Sequence, residues 1–564
     1  MYIQLVVIGS LFMGLLSAQL GMNYSYEMKY GDGMQVTPLT QDTTDYSYFE
    51  NLLDINTYYG DKIYFYSQLE YSNPPIYGNN RTSIDSILNT FYIEYLSDRY
   101  NIKLGDLYEL YGRGLGFYTL QEQTIDYNNS IKGLTLNYFL KENLKVSTII
   151  GTGKYEYRSN PTKRESDLQI NNNIFLGSLD YEHNNFGYFQ FLYLKQTTFL
   201  TPEFIDRIYN KGEIGMELDK SQRTPSGQMQ YMFNQSNPGT GISDTVNLSV
   251  ANYNWNFYFG PIEVYIDKAW IQYDKIYGDK VYGSRLYTSV YTELFETGIT
   301  YEYKNYYLPY LIKSISNPPI GYREGNSILA SRNVHSMNFG NEIGHQIDLN
   351  RSLVSNLNVA ANLSLSHRHQ IGDMEPISLL DILSMKNEDK MYDYFPFLQV
   401  YLEMNGWAFS ERLYYKVGMD HFIEFTVLNY SKKTYVTTIP TQWVWKLTDG
   451  NSLTMYLETQ EKTVKQLSST DFSLSDETKY INNYSSISYS HLGKWIVTGF
   501  YDQEVKDSKT NTWLGADLSY KISSETQISL FYGSQKGGLV CANGICAEQP
   551  GFEDGFKVTF RSLF

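Results

Sequence analysis

Apolar and polar residues alternate one by one through much of this chain. Leu20, Met22, Tyr24, Tyr26, Met28 and Tyr30 share one side of a period-two pattern, and Asn23, Ser25, Glu27 and Lys29 share the other. Val246, Leu248 and Val250 alternate with Asn247 and Ser249. Leu357, Val359, Ala361, Leu363 and Leu365 are set against Asn358, Asn362 and Ser364. Leu514, Ala516, Leu518, Tyr520 and Ile522 are set against Asp517, Ser519 and Lys521. Two residues is the side-chain period of a strand, so these segments predict strands with one apolar and one polar face. A soluble sandwich alternates too. It does not sustain strands of roughly 10 residues across an entire chain without a linker or a change of composition, and neither occurs here.

The breaks between the alternating segments come in two sizes. Short ones fall at Gly60-Asp61, Lys141 to Asn143, His183 to Asn185, Asn350 to Ser352, Asp449-Gly450, Leu492-Gly493 and Ser523-Ser524. Longer polar segments lie between them, at 31–45, 72–86, 112–130, 153–168, 198–211, 314–334, 368–393, 464–481 and 534–552. Short turns on the periplasmic side and long loops outside are the habit of transmembrane barrels. The alternation survives residues 408–430 only if Glu411 to Leu428 is one long strand. The expected fold is therefore all-β: a single large antiparallel transmembrane β-barrel over residues 19–564, with apolar faces toward lipid and polar faces toward the lumen. The spacing predicts about 26 strands, with 24 as the other admissible count; a tilted strand needs ~9–11 residues to cross.

Residues 1–18 read as an export signal, with an apolar run from Leu5 to Leu16 ending in Ser17 and Ala18. That run is too short to span a bilayer as a helix. The first strand begins by Leu20, with no plug domain before it, which argues against energy-coupled import. Composition agrees with a barrel. Tyr accounts for 55 of 564 residues and charged residues for only 19%. Tyr joins an apolar ring to a wet hydroxyl and suits both membrane surfaces. Net charge is −16, the wrong sign for a nucleic-acid partner.

Candidate chemistry is sparse. Cys541 and Cys546 flank Asn543-Gly544, a tight-turn signal, and an exported loop is oxidising territory, so a disulfide is expected. Gly112-Arg113-Gly114-Leu115-Gly116 lacks the Gly-Lys-Ser of a phosphate loop. Arg113 cannot face lipid cheaply and is expected at the lumen or rim, paired with an acid such as Asp106 or Glu109. Ser72-Asn73-Pro74-Pro75-Ile76 recurs as Ser316-Asn317-Pro318-Pro319-Ile320, read as a shared loop geometry. His367 and His369 could share a strand face, but two histidines do not make a metal site. Pro376 to Lys390 reads as one short amphipathic helix, resting on the rim or folded into the pore. No catalytic constellation stands out, so neither an enzyme nor a cofactor is expected.

Four runs together resemble a Gram-negative outer-membrane barrel family of unknown function. They are Gly105-Asp106-Leu107-Tyr108-Glu109 with Tyr111-Gly112-Arg113-Gly114-Leu115; Asp126-Tyr127-Asn128-Asn129-Ser130 leading to Gly133; Ser331-Arg332-Asn333-Val334-His335 with Asn341-Glu342-Ile343-Gly344; and Val540-Cys541 to Cys546. The last run, Phe556 to Phe564, is similar to the closing strand of such barrels. That resemblance implies that Phe560 and Phe564 are the signal read by the outer-membrane assembly machinery, although Ser562 departs from the usual aromatic. It implies residence in outer-membrane lipid and no catalytic residue. The expected role is a porin-like conduit for polar solutes. The alternative is a loop-plugged surface scaffold serving secretion, envelope assembly or adhesion, with a surface protein as partner. An intact mass should show the exported chain carrying two fewer hydrogens than its dithiol form, and cysteine alkylation should require prior reduction.

Overall fold

The computed structural model describes residues 20–36, 43–72, 87–122, 127–156, 169–199, 245–274, 280–308, 315–333, 335, 337, 339–354, 356–370, 375–385, 388–427, 431–467, 474–507, 509–542, 545–549 and 551–564. The proposed signal at 1–18 lies outside them. Twenty-four strands form one antiparallel sheet, the lower of the two expected counts. The sheet closes on itself because the first strand, Leu20–Val36, pairs with both its hairpin partner Thr43–Tyr59 and the last strand, Gly551–Leu563. Closure leaves no unpaired edge, which is what a sheet in hydrocarbon requires.

The short connections all fall on one rim: 60–62, 97–99, 142–143, 184–186, 260–261, 295–296, 355–356, 409–412, 449–450, 492–494 and 522–525. The long connections 108–130, 308–340 and 368–396 fall on the other. The single strand expected over Glu411 to Leu428 is found at Leu413–Val427. It follows a turn in which Phe409, Ser410 and Glu411 all take positive φ. The turn expected at Asn350 to Ser352 lies further on, since Arg351 still pairs with Thr297 on one side and Val359 on the other. Pro440 sits within the strand Ser431–Thr448, where a missing N–H would normally break a ladder. The pairing passes over Ile439 and Pro440 opposite Gly418 and Met419, and Gly418 leaves room for the ring.

The outer face is a belt of exposed apolar side chains: Leu134, Leu136, Ile150, Phe175, Phe191, Ile347, Leu349, Leu402, Met404, Val497, Leu514 and Leu530 among them. One apolar row expected to face lipid turns the other way. Val246, Leu248 and Val250 point inward, with Ile131, Ile149, Ile174, Leu176, Leu192, Leu194, Ala269 and Ile271. The wall from Ile131 to Asp274 is therefore apolar on both faces near its long-loop end. An apolar lumen face is stable only when something other than water covers it, and two inward-folded loops do so.

The seam is held at its tip by the last residue. Phe564 N–H donates to the Tyr24 carbonyl (2.8 Å) and Tyr24 N–H donates to the Phe564 carbonyl (2.9 Å). Their rings stack at 4.7 Å, and Phe560 lies 6.1 Å from Tyr26. Deleting Phe564 should remove two main-chain bonds and one ring contact, each worth about 1 kcal/mol. The purified barrel should then unfold at a lower temperature in a heat-dependent gel-mobility assay. Phe564→Ala, which keeps the main chain, should lose roughly a third of that amount.

Candidate functional site: the plugged lumen

The loop 108–130 carries Tyr111, Leu115 and Phe117 in a polar stretch, and all three are buried. They join the inward apolar wall in one core with Leu192, Val250 and Ile271. Burial of such side chains stabilises by ~1.5–3 kcal/mol each, enough to hold a loop inside a barrel. The glycines let it lie flush against the wall. Gly112 has φ +58, and a Cβ there would stand 2.5 Å from Asp267 Oδ2. Arg113 N–H donates to that same carboxylate at 2.8 Å. The arginine head is exposed in the lumen, 5.2 Å from the ring centre of Tyr265.

Arg113 thus keeps company with Asp267 and Tyr265 rather than with the acids nearest in sequence. Asp106 accepts instead from Phe91 N–H (2.9 Å) and the Ser130 hydroxyl (3.1 Å). Glu109 N–H donates to the Thr119 hydroxyl (2.8 Å), and burial raises its carboxyl above the ordinary range.

The loop 308–340 crosses the lumen above. Arg285 donates to the Leu115 carbonyl (3.2 Å) and to the Ser316 hydroxyl (2.5 Å), so one buried guanidinium touches both loops. The loops also bond directly, Asn317 N–H to the Gly114 carbonyl (3.2 Å) and Tyr118 N–H to the Ile315 carbonyl (3.1 Å). The second Ser-Asn-Pro-Pro-Ile copy lies here, where the Pro319 carbonyl accepts from Tyr306 Oη (2.9 Å). Residues 73–76 of the first copy lie outside the described residues. On the far wall Arg332 grips Asp502 with both nitrogens (3.1 and 2.5 Å). Ser327 donates to Glu458 (2.5 Å), and Lys462 donates to Asn333 (2.7 Å).

His335 is the central latch. Its Nδ1 lies 2.7 Å from Glu424 Oε1 and its Nε2 lies 3.3 Å from Glu342 Oε1. Its ring stacks on Phe397 at 4.1 Å, with Tyr322 edge-on at 5.2 Å. Glu342 is also bonded to the buried Lys304 ammonium. Burial pushes the His335 pKa down, but the two carboxylates outweigh it and hold it above the ordinary histidine value. His335, Glu342 and Arg332 fall within one of the runs that carry the family resemblance. Glu424, Glu458 and Asp502 gave no signal, because each reads as one more polar residue on a lumen face.

Below the plug, toward the short-turn rim, a cavity of about 410 Å³ is lined by Glu109, Arg113, Lys145, Tyr188, Gln190 and Tyr265, among others. Lys145 is bridged to Asp180 at 2.7 Å. The arc beside the seam stays polar and partly open: Ser25, Glu27 and Lys29 on the first strand, Lys557, Thr559 and Arg561 on the last, and Asp517 and Ser519 on the strand Lys509–Lys521. His367 and His369 do not combine. His369 bonds Asn341 (2.8 Å) and Asn305 (3.0 Å), and burial lowers its pKa to about 4. No group of three or more metal-ligating side chains occurs among the described residues.

A closed, even-stranded antiparallel barrel with an apolar outer belt and short turns along one rim is a bacterial outer-membrane protein. A family model matches residues 11–187 and 302–564, and the chain belongs to that family, the family of unknown function DUF6029. No curated protein matches it. Among solved structures it is similar to the copper transporter OprC, at 9% identity and a TM-score of 0.44, over 97% of this chain and 81% of that one. It is similar to the siderophore receptor PirA from Pseudomonas aeruginosa, at 9% identity and 0.42, over 96% and 80%. It is similar to the P pilus usher PapC translocation pore, at 10% identity and 0.40, over 96% and 99%.

The latch has a pH sign. A histidine whose pKa is raised on docking contributes fully below its free value of ~6.5, and the contribution is lost as pH rises through the docked value. Protease cleavage within 308–340 should therefore increase as pH is raised from about 6 to about 9. His335→Gln should flatten that profile.

Proposed function

We propose that this protein is an outer-membrane conduit for small polar solutes whose lumen is closed by its own two inward-folded loops. One observation carries the reading: the plug is docked by polar contacts that can be exchanged for water, chiefly Arg332 on Asp502 and Ser327 on Glu458. A permanent filler needs no such contacts, since an apolar core alone would hold it. Wall carboxylates that pair with the loop when it is docked would line a polar passage when it lifts. The half-open arc beside the seam offers solutes a route, and the cavity below the plug offers a resting place within the ~300–1,000 Å³ usual for small-molecule sites. The overall charge of −16 favours cations and neutral solutes over anions.

The remaining expectations fit this reading as proposals. Residues 1–18 direct export, and Phe560 and Phe564 serve assembly. Cys541 and Cys546 are direct cross-strand partners in the hairpin formed by Gly538–Ala542 and Ile545–Gln549, a register that suits a disulfide.

Planar-bilayer recording on the full chain tests the proposal. The native barrel should show low or intermittent conductance. Arg332→Ala leaves the Asp502 carboxylate buried and unpaired, at a cost of roughly 3 kcal/mol to docking, and should raise the open fraction about a hundredfold. Silence in that variant and in one lacking residues 316–333 would favour the plugged scaffold instead.

A further inference from the structure

The helical segment foreseen at 376–390 folds neither as one helix nor into the pore. It forms two short helices, α1 (Leu379–Ser384) and α2 (Glu388–Tyr394). Met385 ends α1 in a left-handed conformation, at φ 47. Ser378 starts it with a reciprocal capping box to Asp381, which Lys390 also contacts at 3.3 Å.

Helix α1 packs on the outside of the barrel. Its Ile382 is fully buried against Leu365 and Leu398, with Leu363 alongside. Those wall residues belong to the outward face: Leu365 pairs with Leu398, two steps along Ala361 pairs with Leu402, and Val359 pairs with Met404. Leu402 and Met404 are bare, as are Ile347 and Leu349 on Asn341–Val354, the other neighbour of the strand Leu357–His367. The helix therefore covers the lipid-facing belt at its long-loop end and offers a substitute surface. Leu380 is 76% exposed, Leu379 45% and Leu383 44%.

At about 100° per residue, Ile382, Leu379, Leu383 and Leu380 span an arc of roughly 160°, with Ser384 and Asp381 on the opposite side. The barrel wall takes only the Ile382 edge of that arc. The rest continues the bare belt, and the polar side stays toward water. A surface with this division lies in a membrane interface.

We propose that α1 is an interfacial anchor, and that Leu379, Leu380 and Leu383 insert among the acyl chains of the outer leaflet around the long-loop rim. Bilayer lipid is the occupant because the apolar arc is continuous with the belt that lipid already covers.

A fluorophore sensitive to polarity, attached at Leu380→Cys in a Cys541→Ser, Cys546→Ser chain, tests this in phosphatidylcholine vesicles. Heat-dependent mobility checks that each labelled barrel is folded. The label should emit to the blue, be quenched by lipids spin-labelled on the acyl chain, and resist aqueous iodide several-fold better than the same label at Asp381→Cys. Equal iodide quenching at the two sites, with no quenching by spin-labelled lipid, would overturn the proposal. The unaltered chain gives a second reading. Lipids with a photoactivatable group on the acyl chain should label the peptide containing 377–385, and an unlabelled peptide beside labelled belt strands would also count against it.

Discussion

Backbone amides in hydrocarbon have no water to bond to, and every other feature of this protein follows from that. Each strand must have two neighbours, so the sheet must close. Closure at 24 strands leaves an interior far wider than side chains from the wall can fill. The interior therefore either holds water or is filled from the chain's own loops. Here the loops fill much of it, and the wall has adapted to them by carrying apolar residues inward where the plug rests.

The filling is of two kinds. Near the strands from Ile131 to Asp274 it is apolar, with Leu115 and Phe117 buried against aliphatic wall residues. Across the lumen it is ionic and hydrogen-bonded, through Arg332, His335 and their carboxylates. The first kind is insensitive to pH and salt, and the second responds to both. A loop held firmly at one end and polar at the other is suited to lifting from the polar end. The two loops are bonded to each other through Gly114 and Asn317, so motion of one is transmitted to the other.

The barrel was legible because period-two alternation is local: Leu357 to Leu365 says which way each side chain points without reference to any distant residue. The same locality explains the error at Val246, Leu248 and Val250. Alternation separates two faces but does not name them, and with a plug present both sides of the wall can be apolar. Residues 112–130 and 314–334 read as long loops from the sequence, yet nothing in them says that they turn inward. That depends on Asp267, Asp502 and Glu458, which stand far away along the chain. The latch at His335 was passed over because its partners, Glu342 and Glu424, converge only after strands between them have been laid side by side. The outer position of α1 was likewise hidden, since an amphipathic helix fits equally well against either surface of a wall that is apolar on both.

Nearly all neighbouring strands in this sheet are also neighbours along the polypeptide, so each can zip to the one before it as a hairpin. The join between Leu20–Val36 and Gly551–Leu563 alone requires the two extremities to meet. The entropic cost of bringing them together rises only slowly with the length of chain between. What grows is the time during which an almost finished sheet exposes two raw margins. A cylinder of this size is therefore most vulnerable to mispairing and proteolysis at the last step of its biogenesis, and a companion that shields both margins until the terminal aromatic arrives would act where the chain needs it most.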